Sequence, residues 1–256
     1  MASFSRRMGC RLSPSNAGGA PTPFVIFGRA RTGTALVASQ LQSHHQIRCY
    51  GEAFHPKGVY VWIGRRGPER LRSRRERNPK RFADRLLSAR RWERIVGFKM
   101  LNDQALSVQD EILSRSEIKK IVVYRANLLS VFASTKIARA TGQWNLRNGE
   151  PVKQATVNFE PEEFAEFVSV NTAFYERVEG SIRASRSPHI RAEYASLAKP
   201  RSHAAILEFL GADPTVELST ALIKQDTRLL EERFVNWDRV VATLSGTEME
   251  PWLREY

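Results

Sequence analysis

Residues 24–36 constrain the fold more than any other stretch, because they read as a buried strand, a turn bracketed by glycines and the start of a helix. The apolar run Phe24 to Phe27 suits a strand covered on both faces, and Leu36, Val37 and Leu41 continue at helical spacing. Amide N–H groups at the start of such a helix lack partners within it and carry the positive end of its dipole, so the turn favours an anion.

Gly28 and Gly33 have the four-residue spacing of a nucleotide P-loop, but Thr34-Ala35 stand where that motif places Lys and Ser/Thr. Without the lysine for the β/γ-phosphates and the hydroxyl for Mg²⁺, ATP or GTP chemistry lacks two of its parts. Arg29 and Arg31 instead place permanent cations in the turn, each able to form charge-assisted bonds of roughly 1.5–3 kcal/mol. A phosphate or sulfate ligand held without metal fits better, with another phosphate ligand or a purely structural strand–helix turn as the alternatives.

Here the chain resembles the sulfotransferases that use 3′-phosphoadenosine 5′-phosphosulfate (PAPS), whose donor loop runs Arg/Lys-Ser/Thr-Gly-Ser/Thr-Ser/Thr after the first strand. Arg31-Thr32-Gly33-Thr34 match and Ala35 departs from the last hydroxyl. The resemblance implies that Arg29, Arg31, Thr32, Gly33, Thr34 and Ala35 hold the donor. It further implies a three-layer, P-loop-like α/β fold with a mostly parallel central sheet flanked by helices.

Further motifs extend the resemblance to the bacterial trehalose sulfotransferase-like and nodulation sulfotransferase-like branch. Ile47 to Tyr50 reads as a second strand that delivers Gly51-Glu52-Ala53-Phe54-His55-Pro56 to the carboxyl edge of the sheet, where ligands of open α/β sheets bind. Glu52 maps onto the branch's proposed base; an alcohol needs one positioned carboxylate to take its proton. A structural hydrogen bond or N-cap is the other reading of Glu52, and His55 is the rival base or a plain loop residue. Ile95 to Met100 is an apolar strand containing Lys99, costly to bury unless paired. The Gly-x-Lys pattern of Gly97 to Lys99 resembles the branch strand whose lysine faces the donor; a lysine snorkelling from an edge strand is the alternative.

Lys119 to Arg125 reads as the clearest central strand and feeds a helix from Asn127 through Ala140. The resemblance makes Arg125 and Ser134 the 3′-phosphate ligands, although the nine-residue spacing exceeds the usual eight and leaves Ser130 as an alternative. Ala140 to Trp144 resembles the Ala-x-x-Thr-Gly-x-Trp helix ending of the branch. Trp144 is expected to stack on a sugar ring at the acceptor entrance or to seal the core edge. Further helices are expected over Glu160 to Ser185 and over Arg201 to Leu210, the latter closed by Gly211. Glu193-Tyr194 matches a family strand in reversed order. Lys224, before a final helix containing Phe234 to Trp237, is a third phosphate candidate by resemblance to the segment that folds over the nucleotide.

With 256 residues and no compositional break, residues 24–256 are expected to form one domain after a disordered tail over 1–23, which has no acid and little apolar content. His44 and His45 are expected at the exposed end of the first helix. Cys10 and Cys49 cannot support a disulfide framework, and no apolar run is long enough for a membrane span, so a soluble cytoplasmic protein is expected. Of the +13 formal charge, residues 64–94 carry a net +9, from 12 Arg and one Lys against four acids. This reads as a solvated helical surface, or as a docking face for an acidic partner or anionic acceptor; no nucleic-acid motif accompanies it. The combined expectation is a PAPS-dependent sulfotransferase that needs no metal and sulfates a hydroxyl of a carbohydrate, glycolipid or other small acceptor. A P-loop-like kinase and a noncatalytic basic anion-binding protein are the alternatives.

Overall fold

A computed structural model describes residues 19–60, 68–88, 93–197 and 199–254. Residues 1–18 of the expected tail, and residues 64–67 and 89–92 of the basic segment, lie outside the described residues. Among the described residues five strands, β1 (Thr22–Gly28), β2 (Ile47–Glu52), β3 (Ile95–Leu101), β4 (Lys119–Tyr124) and β5 (His189–Glu193), form one sheet in the order β2-β3-β1-β4-β5. Every pairing is parallel. β4, the Lys119 strand, is a central strand as expected, flanked by β1 and β5, while β1 is the middle one of the five; Thr22 and Pro23, expected in the tail, already belong to β1.

Among the described residues eight α-helices connect and cover the strands: α1 (Thr34–Ser43), α2 (Pro68–Arg77), α3 (Pro79–Leu87), α4 (Leu106–Ser114), α5 (Leu128–Thr141), α6 (Pro161–Ser185), α7 (Pro200–Leu210) and α8 (Trp237–Leu244). Alternation along β1 separates two cores, because successive side chains of a strand point to opposite faces. Phe24 and Ile26 pack with Val37 and Leu41 of α1 and Ile206 and Leu210 of α7. Val25 and Phe27 pack with Leu86 of α3, Ile112 of α4 and Val178 of α6. All four β1 side chains are fully buried, each worth about 1.5–3 kcal/mol, so the three layers follow directly from the apolar run. A third cluster joins α5 and the start of α6 to Phe234, Val240 and Leu244.

Local chemistry sets the helix ends. Asn127 caps α5 by accepting from the Ser130 amide at 2.9 Å, and Gly142 ends it in the left-handed region. Gly211 closes α7 in the same way. Two expectations need correction. His44 is not exposed: it is 2% accessible, its Nδ1 accepts from the Gln46 amide, and burial pushes its pKa down. The last α-helix begins only at Trp237, because Phe234 is extended and Val157 and Phe234 form an isolated bridge. Among the described residues no helix is long and apolar enough to cross a membrane.

Candidate active site

The carboxyl ends of β1, β3 and β4 open into a cavity of about 730 Å³. Its floor is the turn between β1 and α1. A Cβ on Gly28 would lie 2.5 Å from Thr34 Cγ2 and 2.7 Å from the Val123 carbonyl oxygen, so only glycine lets the turn sit against β4. Gly33 has φ +97° and a built Cβ would meet the Tyr194 ring at 2.7 Å. Arg31 is also left-handed, at φ 68°, which costs a non-glycine residue roughly 1–2 kcal/mol.

What holds Arg31 there is its side chain. Its Nε donates to Ser134 Oγ at 2.9 Å, one terminal nitrogen donates to the Trp144 carbonyl, and the other donates to Gln225 Oε1 at 2.7 Å. Gln225 in turn donates to the Gln143 carbonyl at 2.7 Å. Arg31 thereby ties the turn to α5, to the loop after it and to the 220s segment. Burial lowers its pKa, and Arg125 adds to that lowering. Among the described residues no carboxylate pairs with it, so an anion is the natural complement of this part of the cavity.

Arg29 and Thr32 lie elsewhere. The Arg29 guanidinium reaches the Val170 carbonyl of α6 at 3.2 Å and sits over the Phe167 ring. Thr32 is fully buried and donates to the Arg29 carbonyl at 2.8 Å, which fastens the turn from below. Neither lines the cavity, whereas Arg31, Gly33, Thr34 and Ala35 do.

Glu52 and Lys99, taken from separate motifs, meet each other. Lys99 Nζ lies 2.7 Å from Glu52 Oε1, with the side chains 7% and 17% exposed. β3 is an interior strand, so Lys99 has no edge from which to snorkel. Gln104 Nε2 donates to the other Glu52 oxygen at 3.0 Å. Burial by itself would raise the Glu52 carboxyl, but the Lys99 charge, bonds from Lys99 and Gln104, and His55 outweigh it and hold the pKa below the usual range. Gly51 is left-handed at φ 71°, and the Tyr60 amide donates to the Glu52 carbonyl at 3.0 Å, so residues 53–59 form a loop closed at the base of Glu52. His55 lies in that loop, outside the cavity lining, with its ring edge-on to Tyr60.

On the far side, Arg125 stands at the end of β4 with its guanidinium 4.6 Å from the centre of the Tyr194 ring. Ser134 is engaged by Arg31. Ser130 is among the residues around the cavity; its hydroxyl is fully buried and has no hydrogen-bond partner among the described residues. Lys224 and the 44%-exposed Trp144 also face the cavity. Gln225, Gln104, Tyr194 and Trp252 are lining or supporting residues that the sequence reading did not place in the site. Gln225 is the one with a signal, since it follows Lys224 in the Lys-Gln pair.

The basic segment contributes an unexpected contact. Most of its described arginines are exposed, but Arg75 is buried and donates to the carbonyls of His55 at 2.7 Å, Gly58 at 2.9 Å and Ala53 at 3.3 Å. It fills the centre of the loop that follows Glu52.

The described residues thus form an α/β fold with an all-parallel sheet, a glycine-bracketed turn after its first strand and a lysine–glutamate pair at the same edge. Among solved structures it is similar to a sulfotransferase from Alicyclobacillus acidocaldarius, with a TM-score of 0.51 and 18% identity over 92% of this chain and all of the other. In sequence the chain is similar to Nodulation protein H of Rhizobium tropici, 27% identical over 221 residues, covering 85% of this chain and 87% of the relative. No family model matches. The resemblance to the sulfotransferase family drawn from the motifs is borne out along most of the chain, and its α/β fold is the one observed.

Proposed function

We propose that this protein is a sulfotransferase that moves the sulfuryl group of PAPS to a hydroxyl of a small-molecule or glycan acceptor. The observation that carries the proposal is the Glu52–Lys99 pair in one cavity with the Gly28–Gly33 turn and Arg125. The cavity suits a ligand with two anionic ends. The turn with Arg31 and the end of β4 with Arg125 both line it, the Tyr194 ring lying against Gly33 and under the Arg125 guanidinium. Ser134 accepts from Arg31 and keeps its O–H free to donate, so it stays available to a 3′-phosphate beside Ser130, one turn earlier on α5. Lys224 supplies a further cation from the 220s segment.

When bound, the donor supplies an activated sulfuryl group and leaves as 3′-phosphoadenosine 5′-phosphate (PAP). The chain's own residues handle the charge and the proton. Lys99, with three N–H donors, can bond Glu52 and an anion at the same time. While it bonds Glu52 it weakens that carboxylate as a base, and sharing its charge with a donor oxygen restores the basicity. Glu52 then takes the hydroxyl proton of the acceptor as the new O–S bond forms. The exposed Trp144 ring offers the acceptor an apolar platform at the cavity mouth.

Incubation with ³⁵S-labelled PAPS and a panel of carbohydrate and glycolipid alcohols tests this reading. Label should pass to at least one alcohol, and Glu52→Gln should slow the transfer on the order of 10²–10⁴-fold with PAP affinity retained. Undiminished transfer by Glu52→Gln would remove the carboxylate from its role.

A further inference from the structure

Behind the Glu52–Lys99 pair runs a buried chain of amides with a fixed direction. At its outer end Arg177 of α6, held by Asp110 Oδ1 at 2.7 Å, donates to Gln109 Oε1 at 2.7 Å. A guanidinium can only donate, so the Gln109 oxygen must face it and the Gln109 amino group must face inward. That group donates to the carbonyls of Leu101 and Gln104, both at 2.7 Å. The turn from β3 into α4 is thus pinned from behind, with Ala105 in the left-handed region. In the next link the Leu101 amide, again only a donor, bonds Gln104 Oε1 at 3.1 Å. This leaves the Gln104 amino group no orientation but the one observed, donating to Glu52 Oε2 at 3.0 Å. Gln104 is 1% and Gln109 0% exposed, so water does not substitute for these partners.

We infer that Gln104 is the positioning residue of the site: its side-chain amide, oriented by the Leu101 N–H in a turn that Arg177 and Gln109 pin through its backbone carbonyls, holds Glu52 as an ionised acceptor with one oxygen directed at Lys99. A protonated Glu52 Oε2 would set an O–H against the Gln104 N–H, so the chain disfavours the neutral acid. The other groups that act on Glu52 are Lys99 from β3 and His55 from its own loop. Lys99 is mobile in role, since it can turn to an anion in the cavity. Among the described residues the Gln104 amino group has no second partner, and it keeps the carboxylate in place when Lys99 is shared. This inference rests on the proposed base role of Glu52, but the contact itself does not.

The test is a ¹³C-carboxyl NMR titration of the full chain without donor or acceptor, with the Glu52 signal identified by its loss in Glu52→Gln. Gln104→Met keeps the length and removes the donor, and the Glu52 midpoint should move up relative to wild type. Gln104→Glu should move it further, because two adjacent carboxyls then share one proton. Should the methionine variant not fold, Gln104→Asn withdraws the amide by one methylene and is expected to raise the midpoint likewise. An unchanged midpoint in a variant with a native ¹H–¹⁵N spectrum overturns the inference, as does lowered stability with no titration shift. Because no transfer is measured, an upward shift together with absent sulfuryl transfer would sustain the positioning role and count against the proposed function alone.

Discussion

Removing Lys99 should expose how much of the site's stability resides in one ion pair. In Lys99→Met the Glu52 carboxylate keeps, among the described residues, only Gln104 as a bonded partner, in a place where its side chain is 17% exposed. Breaking a buried pair from one side costs about 3–5 kcal/mol, and access of water through the cavity brings the expectation to about 2–3 kcal/mol. At this chain length that is a fall of about 5–10 °C in Tm. Glu52→Gln should cost less, because the amide oxygen still accepts from Lys99. The double variant should recover about 1–2 kcal/mol relative to the sum of the single changes. The pH dependence has a definite sign. Glu52 has a folded pKa below its unfolded value, so its stabilisation is present above the ordinary carboxylate range and is lost as pH falls through the lowered value. In Lys99→Met burial dominates and raises the carboxyl, so the gap from wild type should narrow as pH is lowered from about 7 toward 4. Urea unfolding of the four proteins across that range measures all of this. Additivity within about 0.5 kcal/mol, or a gap independent of pH, would refute the coupling.

Three further outcomes are expected. Gly28→Ala forces a methyl group to 2.5 Å from Thr34 Cγ2 and 2.7 Å from the Val123 oxygen, so it should lose about 1–3 kcal/mol and weaken PAP binding more than about tenfold by calorimetry; unchanged affinity would mean that the turn is not the anion site. Arg75→Met leaves three loop carbonyls without their donor and should cost about 2–4 kcal/mol by urea unfolding, against less than about 0.5 kcal/mol for the exposed Arg74→Met; equal small losses would show the clamp to be idle. Lys120 is buried and its pKa is pushed down to about 8, mainly by burial, so its contribution is fully present above 10.5 and lost as pH falls through about 8. Wild type should therefore gain on the order of 2–3 kcal/mol over Lys120→Met across that interval, and parallel stability curves would contradict it.

The layers were legible because Phe24 to Phe27, Ile95 to Phe98 and Ile121 to Tyr124 are short apolar runs of the kind a sheet covered on both faces buries. The turn was legible because its glycine spacing is local. Side-chain partners across the chain were not. Nothing in the neighbourhood of Arg29 or Arg31 distinguishes an arginine that reaches α6 from one that ties the turn to Ser134, Trp144 and Gln225; the difference lies in residues more than a hundred positions away. Glu52 and Lys99 were both selected, yet their pairing follows from β2 lying beside β3, which neither motif contains. Gln104 gave no signal, since a glutamine after a strand is ordinary until its amide orientation is known. Arg75 was hidden by its neighbours, because a run of arginines reads as one solvated face and only burial singles out the member turned inward.

The most direct measurement is a calorimetric titration of the full chain with PAP in the presence of EDTA, beside one with ATP and Mg²⁺. Saturable one-to-one binding of PAP without metal is expected. Arg125→Ala should weaken it by roughly 1.5–3 kcal/mol, and should weaken adenosine 5′-phosphosulfate, which lacks the 3′-phosphate, much less. Binding of ATP only with Mg²⁺, with PAP no tighter, would contradict the donor assignment and favour a kinase.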